Sequence, residues 1–496
     1  MLNPSLTSKS LSLFGNIMTM QQSTGISRRH LLSRASNGFG IAALAGLLAA
    51  EQSGHAADSP FGPRRPHFEP TAKHVIFCYM SGGFSQCDSF DHKPRLKAEA
   101  GKPVPFKTER TQFNNKGTLM PSQWEFQKRG ESGLEISELF PHLATCADDL
   151  AIVNSMTAEF SEHAQANYFM HTGFPFRGHP SAGAWMTYGL GSENENLPGF
   201  VVLHSGGSVP PHGGVGLFSN GYLPAIHQAS SIALDRKPPV SNIVPQEADR
   251  RQRKRLDFIN RLDNSFLKNT ANNADVESAI RNYEMAYKMQ SAVPEIVDLS
   301  GETEATLNLY GVHDPDVKKG HYARQCILAR RLVEQGVRFI ELSCLQSGIG
   351  GGGAANPWDN HGGIKVGHGR MGNQVDQPIA ALIKDLKQRD LLKETLIIFA
   401  GEFGRTPFAQ GSDGRDHDPY GFSVFMAGGG IQGGLTYGKT DEYGYHVVEN
   451  KATVWDMWAT ALHLMGVDHM DLTYRFGGRD MRLTDVHGNV LQDIIA

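Results

Sequence analysis

The sequence predicts an α/β protein built around a doubly wound sheet, and three observations support this prediction. Strand-like and helix-like segments alternate along the second half of the chain, which is the pattern of parallel strands joined by crossover helices. TLIIFA at residues 395–400 is an unbroken apolar run, as expected for a strand that is covered on both faces. Hydrophobic residues make up 40% and charged residues 20% of the 496 residues, so the chain can bury a large core.

Apolar periodicity places the individual elements in order. We predict strands at residues 74–80, 150–156, 199–203, 337–344, 395–400 and 421–427. We predict helices at residues 163–171, 247–290, 319–335, 371–389 and 452–466. The segment from about 235 to 310 has no chemical signature and is interpreted as a helical insertion. Its basic cluster at residues 250–255 is interpreted as a solvated helix face, because acidic residues follow it at once.

The first 57 residues are interpreted as an export signal of the twin-arginine (Tat) type rather than as part of the fold. Arg28 and Arg29 precede an apolar run at residues 38–50, which is shorter than the about 20 residues that span a bilayer. A polar linker at residues 58–72 and one folded domain at residues 73–496 then follow. We expect a periplasmic or extracellular protein without a stable membrane span after cleavage; an uncleaved membrane anchor is the alternative.

Charge and cysteine content exclude two classes of protein. The chain has 47 basic and 51 acidic residues and a formal net charge of −4, which argues against nucleic acid as a partner, since such binders need a basic surplus. The five cysteines include no CxxC pair and do not form a disulfide framework, so we expect buried thiols.

The residues that can carry chemistry follow the predicted strands, where ligands of doubly wound sheets bind. WDNHGG at residues 358–363 follows one strand, and GEFGRTP at residues 401–407 follows another, with GRDHDP at residues 414–419 soon after. These three loops are expected to bring together Asp359, His361, Glu402, Asp416 and His417. Carboxylates and imidazoles are the ligands of Zn²⁺ or Mn²⁺ in hydrolytic sites.

Other interpretations of these residues remain open. Any one of them alone is more often a turn or capping residue. Asp416 and Glu402 would also suit the carboxylate pair of a carbohydrate-active enzyme. Arg405 is a candidate for a bidentate contact with an anionic substrate. The glycine-rich stretches at residues 367–372, 428–433 and 433–440 lack the strand–turn–helix context of a nucleotide site.

Five motifs together resemble the DUF1501 family, which is common in planctomycetes and related bacteria. They are CYMSGGFSQCDSFDHKP (78–94), HAQANYFMHTGFP (163–175), WDNHGG (358–363), GEFGRTP (401–407) and GRDHDPYGF (414–422). This family looks like a branch of the alkaline phosphatase/sulfatase superfamily. The resemblance implies an α/β/α sandwich of alkaline phosphatase-like type around a metal site that acts on phosphate or sulfate esters.

The superfamily pattern can be carried over to one metal site of this chain. Asp359 and His361 match the Asp and His before a long helix, although their spacing is shorter than usual, and His417 matches a later His. Where relatives have Asp-His-Gly, this sequence has Glu402-Phe403-Gly404. Glu402 can replace the Asp, whereas Phe403 cannot bind a metal. Glu402 and Asp416 are expected to be further ligands or to orient the histidines.

The second metal site of the superfamily is altered in this chain. The first strand ends in Ser81 instead of an Asp, with Asp88 as a distant substitute. The position of the usual Ser, Thr or Cys nucleophile falls on His163, which could be a ligand, a base or a nucleophile. Ser161 is a nearby alternative.

The first functional hypothesis is an exported metal-dependent hydrolase of sulfate or phosphate esters. Its catalytic residues would be His163 and Arg405, its cofactor Zn²⁺, Mn²⁺ or Ca²⁺, and its substrate a small anionic ester or a sulfated or phosphorylated glycan. The alternative is a non-catalytic phosphatase-like scaffold, since family members are often encoded beside large exported cytochrome-like proteins, which are candidate partners. The sequence leaves open the number of metal ions and the oligomeric state.

Overall fold

The computed structural model describes residues 62–496, apart from residues 112, 114–115, 242, 246, 270–273, 346–352 and 354 and the side chains of residues 264–277. The predicted export signal at residues 1–57 lies outside the described residues, as does the start of the linker. The described residues belong to one compact unit. No helix among them has the length and apolar character needed to cross a membrane.

Strands and helices occupy both halves of the described chain. The strands are β1 (His74–Tyr79), β2 (Phe126–Arg129), β3 (Leu134–Ser137), β4 (Leu150–Thr157), β5 (Phe200–His204), β6 (Ser230–Ala233), β7 (Phe339–Ser343), β8 (Thr395–Ala400), β9 (Gly404–Gln410), β10 (Gly414–Asp418), β11 (Phe422–Ala427), β12 (Leu435–Tyr437), β13 (Lys439–Thr440), β14 (Val447–Glu449), β15 (Ala452–Thr453), β16 (Tyr474–Phe476) and β17 (Arg479–Met481). The helices are α1 (Pro94–Ala98), α2 (His163–Thr172), α3 (Ala182–Leu190), α4 (Asp249–Asn269), α5 (Ala274–Val297), α6 (Glu304–Tyr310), α7 (Val317–Glu334), α8 (Ile364–Gln388) and α9 (Val454–Leu464).

The central sheet has nine strands among the described residues and confirms the predicted α/β class. Its order is β12–β4–β11–β8–β1–β7–β5–β6, and β15 also pairs with β4. All pairings are parallel except those of β11, which runs antiparallel to β4 and to β8. The chain between β8 and β11 contains a hairpin but no crossover helix, and without a crossover the chain returns antiparallel.

Helices cover both faces of this sheet. On β1, Ile76 and Cys78 face a core cluster that includes residues of α7 and α8. Val75 and Phe77 face the opposite cluster, to which Trp458 of α9 and residues of α2 and α3 contribute. Side chains alternate between the two faces of a strand. An unbroken apolar strand therefore contributes side chains to the core on each face of the sheet.

The predicted elements agree with the structure in most places. The helix predicted at residues 371–389 begins seven residues earlier, at Ile364, and the segment 247–290 contains two helices, α4 and α5. Met289 and Val293 of α5 belong to the same core as the sheet, so this helix is packed onto the domain. All five cysteines are buried and unpaired, as expected.

The main difference lies at residues 404–418, which the sequence analysis treated as loops. They form an antiparallel hairpin of β9 and β10. All but one of the residues in its strands are buried, among them Arg405, Arg415 and His417. Because these buried residues are polar, the hairpin lacks the apolar alternation by which strands are recognised.

Replacing Ile398 with Ala tests whether the core on the α2–α3–α9 face carries the stability of the fold. Ile398 is fully buried in β8, and we expect the free energy of unfolding to fall by about 2–5 kcal/mol. Chemical denaturation would measure it. Val486→Ala is the control, because Val486 is exposed, and it should change the free energy by no more than about 0.5 kcal/mol. Equal effects of the two variants would contradict this assignment of the core.

Candidate metal centre

Four side chains converge at the carboxyl ends of the parallel strands. His163, Asp359, His361 and His417 each offer one ligand atom, and these four atoms lie within 4.8 Å of one another. Oδ1 of Asp359 lies 2.8 Å from Nε2 of His361 and 3.3 Å from Nε2 of His417. Oδ2 of Asp359 lies 3.3 Å from Nε2 of His163. Three imidazoles therefore surround one carboxylate.

These side chains belong to different parts of the fold. His163 is the first residue of α2, whose N-terminus is capped by Glu162 through the backbone N–H groups of Ala164 and Gln165. Asp359 and His361 lie between β7 and α8. His417 lies on β10 directly opposite Arg405 of β9. The β9–β10 pairing thus fixes the relative position of two residues of the centre.

Two glycines allow the loops of the centre to approach closely. Gly82 has a φ of +105°, and a Cβ on it would lie 2.5 Å from the backbone N of Asp359. A Cβ on Gly414 would lie 1.9 Å from the carbonyl O of His361. The first position requires glycine for conformation and for space, and the second requires it for space.

The hairpin turn is also attached to the helix that follows His361. Asp413 accepts hydrogen bonds from Gly363 N through its side chain and from Ile364 N through its carbonyl, both at 3.0 Å. These are N–H groups at the start of α8, which otherwise lack partners within the helix.

The second ring nitrogen of each histidine is held by an oxygen. Nδ1 of His163 donates to Oε1 of Glu402 at 2.7 Å. Nδ1 of His417 donates to the carbonyl of Ser161 at 2.6 Å, and Nδ1 of His361 contacts Oε1 of Gln410. Since these oxygens act as acceptors, Nδ1 carries the proton, and Nε2 of each neutral ring keeps its lone pair. With all three rings neutral, three lone pairs would point toward the Asp359 carboxylate.

Two of these nitrogens lack a well-aligned hydrogen-bond partner among the described residues. Nε2 of His163 and Nε2 of His361 are buried without one, although they lie 3.3 and 2.8 Å from carboxylate oxygens of Asp359. A buried polar atom without a partner costs about 1–3 kcal/mol. A divalent cation between the three lone pairs and the carboxylate would remove this cost, so the donor set fits a metal ion.

Arg405 forms a buried ion pair with the carboxylate of Asp359. Its guanidinium is fully buried, and Nη2 donates to Oδ1 of Asp359 at 2.7 Å. Its other hydrogen bonds are donated to the backbone carbonyls of Gly82, Gly83 and Arg415. The donors are thus used inside the protein, and the structure places Arg405 against Asp359 rather than at an opening where it could bind a substrate.

Glu402 contacts His163 on the side of the ring that faces away from Asp359. Its carboxylate is fully buried and accepts the backbone N–H of Gly82 at 2.9 and 3.0 Å. Oε2 also accepts the hydroxyl of Tyr79 at 3.2 Å. Of the two roles expected for Glu402, the geometry matches the orienting one, because it contacts a histidine of the cluster through Nδ1.

Asp416 is not brought into the cluster. Its carboxylate accepts the hydroxyl of Thr111 at 2.7 Å and the backbone N–H of His417 at 2.8 Å. Adjacent side chains of a strand point to opposite faces, so His417 and Asp416 of β10 cannot both face the centre. The segment that contains both residues was expected to bring both to the centre, but of the two only His417 lies in the cluster.

Three further candidates lie outside the cluster. Asp88 forms an ion pair with Arg415 at 2.7 Å. Ser81 accepts the backbone N–H of Trp358 at 3.0 Å through its carbonyl and so holds the loop that carries Asp359. Ser161 contacts His417 through its carbonyl. Phe403 stacks on the ring of His417 with centroids 4.3 Å apart, which makes it an apolar wall of the centre.

Burial and the charges of the cluster shift the pKa values of its residues in different directions. Burial lowers the pKa of His417 to about 3, which keeps its ring neutral. Burial also lowers the pKa of His163, but the carboxylates of Asp359 and Glu402 outweigh it and raise the pKa to about 9. Burial raises the pKa of Asp359, but Arg405 and the histidines bring it far below its usual range. A cation would therefore compete with a proton for His163.

The centre is nearly closed to solvent. His361 is its most exposed member, with 18% of the side chain accessible. The half-exposed ring of Phe113 lies edge-on, 4.7 Å from the His361 ring and 5.8 Å from the His417 ring. The sequence contains no signal for Phe113, Gln410 or Tyr79, because none of these residue types marks a metal centre by itself.

A known protein family matches most of the described chain. A sequence model of the family DUF1501, described as "Protein of unknown function", matches residues 72–495. No curated protein sequence matches the chain.

Solved structures show weak similarity. The lipoteichoic acid synthase LtaP from Listeria monocytogenes is 9% identical, with 84% of this chain and 76% of that chain covered and a TM-score of 0.37. The sulfatase PsFucS1 from Pseudoalteromonas sp. is 13% identical, with 82% and 68% covered and a TM-score of 0.34. The phosphonate monoester hydrolase of Agrobacterium radiobacter is 12% identical, with 80% and 74% covered and a TM-score of 0.34.

The ion pair between Asp88 and Arg415 leads to a pH-dependent prediction. Burial raises the pKa of Asp88, but Arg415 and hydrogen bonds outweigh it, so the net pKa lies below its usual value. A carboxyl whose pKa is lower in the folded than in the unfolded chain stabilises the fold above about pH 4, and this stabilisation is lost as the pH falls further. Asp88→Asn should therefore lower the free energy of unfolding by about 3–5 kcal/mol at neutral pH, and less in acid.

Urea denaturation at several pH values would measure this difference. Asp390→Asn is the matched control, because Asp390 is an exposed carboxylate in an ion pair with Lys393, and it should leave the free energy of unfolding nearly unchanged. A pH-independent effect of Asp88→Asn would show that the charge of Asp88 does not stabilise the fold.

Proposed function

We propose that this chain, which belongs to the DUF1501 family, binds one divalent cation in the cluster and uses it to hydrolyse sulfate or phosphate esters. One observation carries the proposal: Nε2 of His163, His361 and His417 all face the Asp359 carboxylate, and two of these nitrogens lack a well-aligned hydrogen-bond partner. A cation is the simplest species that three imidazole nitrogens and one carboxylate oxygen could bind together.

The donor set favours Zn²⁺ or Mn²⁺ over Ca²⁺. Three imidazole nitrogens and one carboxylate are common ligands of zinc and are acceptable to manganese. Calcium takes six to eight oxygen ligands, and the cluster offers only the oxygens of Asp359.

The charge of the centre favours an anionic substrate. The carboxylates of Asp359 and Glu402 and the guanidinium of Arg405 together carry one net negative charge, so a divalent cation would leave one net positive charge. In a largely dry site this charge attracts an anionic ester. A bound cation polarises an ester oxygen and lowers the pKa of a water molecule beside it.

The residues around the cation orient its ligands. Glu402 holds the His163 ring through Nδ1, and Arg405 fixes the Asp359 carboxylate. With Nδ1 bonded to Glu402 and Nε2 binding a cation, His163 would have no lone pair left for attack on a substrate. We therefore assign His163 as a ligand instead of a nucleophile or base, and Arg405 as a residue that positions Asp359.

A second candidate function is a metal-stabilised scaffold without catalysis. Four protein donors can complete the tetrahedral coordination of a structural zinc, whereas catalytic zinc keeps one position open. The burial of His163, Asp359 and His417 is compatible with such a closed site. In that case the cation would stabilise the fold, and an exported cytochrome-like protein remains a candidate partner.

Replacing His417 with Ala should remove the bound metal. Elemental analysis of the purified protein is expected to give about one Zn²⁺ or Mn²⁺ per chain, and the variant should retain none, since it lacks one of the four donors. Asp416→Asn is the matched control at the neighbouring position, because its carboxylate points away from the cluster, and it should keep the metal. Metal retained by His417→Ala, or lost equally from both variants, would refute the ligand assignment.

Activity assays separate the two functions. The metal-loaded protein should hydrolyse at least one of an aryl sulfate, a phosphate monoester or a phosphate diester, and chelation should abolish this hydrolysis together with the metal. Metal binding without hydrolysis of any of these esters would reject the hydrolase and favour the scaffold.

Replacing Glu402 with Gln should weaken metal binding, although all four proposed ligands remain. The amide keeps the size of the side chain but not the negative charge that fixes Nδ1 of His163. Loss of such a partner typically lowers metal affinity by about 10–100-fold, which a competitive chelator titration would measure. An unchanged affinity would show that Glu402 does not act through His163.

A further inference from the structure

We propose that helix α4 carries a surface that binds anionic lipid membranes. This surface, called the basic–apolar face below, is outside the metal centre. It consists of Arg250, Arg251, Lys254, Arg255, Phe258, Arg261 and Leu262, all of which are exposed.

The helical repeat places these residues on one side of α4. At about 100° per residue, they fall within an arc of roughly 140°, and the nearest acidic residue, Asp257, lies at its margin. The other side of the helix faces α5. There Gln252 donates to Gln290 at 3.0 Å and Asn260 donates to Glu284 at 3.2 Å.

Two large apolar side chains stand out on this face. Phe258 and Leu262 are each 55% exposed and lie one helical turn apart, so their side chains are neighbours. Neither side chain belongs to a hydrophobic core cluster of the described residues. An exposed apolar pair within a charged helix is the pattern of a helix that lies in a membrane interface.

Most basic residues of the face are not neutralised by acidic neighbours. Arg255 forms an ion pair with Glu247 at 2.8 Å, whereas the Arg253–Asp249 pair lies beside the face. For Arg250, Arg251 and Lys254, no ion pair occurs among the described residues. Five positive side chains thus share one surface of a chain whose net charge is −4.

A lipid surface fits this face better than a peptide. A peptide partner needs a groove with walls, but Arg253 and Asp257, which lie along the Arg250 edge of the face, are themselves exposed. A flat anionic surface can meet all five basic side chains at once. Phe258 and Leu262 can then enter the boundary between headgroups and acyl chains, as the apolar residues of interfacial helices do.

Sedimentation with lipid vesicles tests the proposal on the full chain. We expect binding to vesicles of phosphatidylcholine mixed with phosphatidylglycerol, weaker binding to phosphatidylcholine alone, and loss of the difference at high salt. Each neutralised basic residue should lower the partition coefficient roughly fivefold. The double variant Arg251→Gln, Lys254→Gln should therefore bind about 25-fold more weakly, and Phe258→Ser, Leu262→Ser about tenfold or more.

A matched variant controls for charge alone. Lys102→Gln, Lys107→Gln removes two exposed positive charges elsewhere and should bind as the unchanged protein does. Every variant keeps residues 1–57, so any contribution of the apolar run at residues 38–50 is common to all. Near-ultraviolet circular dichroism and unchanged metal content would show that the variants are folded.

Three results would overturn the proposal. The first is equal binding of the unchanged protein to neutral and anionic vesicles. The second is equal binding of the α4 variants and the Lys102 control. The third is self-association without vesicles that the Phe258 and Leu262 substitutions abolish, because the face would then bind a second copy of the chain.

Discussion

The contact between Arg405 and Asp359 is the interaction on which the centre depends. Asp359 is the shared neighbour of three histidines, and its position is set by a buried guanidinium that also binds three backbone carbonyls. Without this anchor the loop between β7 and α8 would have to hold the carboxylate alone. Hydrogen bonds that involve charged groups and a fixed fork geometry are among the strongest available to a protein. The centre is therefore organised by an ion pair within the protein itself.

Much of the fold could be predicted from the sequence because its strands are covered on both faces. Runs such as TLIIFA are unambiguous when both sides of a strand need apolar residues. The hairpin of β9 and β10 escaped prediction for the opposite reason: Arg405, Arg415 and His417 are polar and nevertheless buried. The direction of β11 escaped as well, since it depends on the missing crossover helix and not on the composition of the strand.

The centre could be predicted only as a set of residue types. Asp359, His361 and His417 were identified by motif, and the structure places them together. Which side of β10 faces inward could not be read from GRDHD, because carboxylate and imidazole alternate there and either could bind a cation. Glu402 could either bind a cation directly or orient a histidine that does so. The choice depends on distances of a few ångströms, which a sequence pattern does not contain.

The turn of the β9–β10 hairpin has a consequence for how this protein can change. Asp413 ties the turn to the first backbone N–H groups of α8, and Gly414 lies against the carbonyl of His361. A residue inserted between Gln410 and Gly414 would therefore push on the loop of His361 and on β10 together. Although it is a surface turn, its length is constrained as tightly as that of a core strand, and natural or engineered length variation should be tolerated elsewhere on the domain before it is tolerated here.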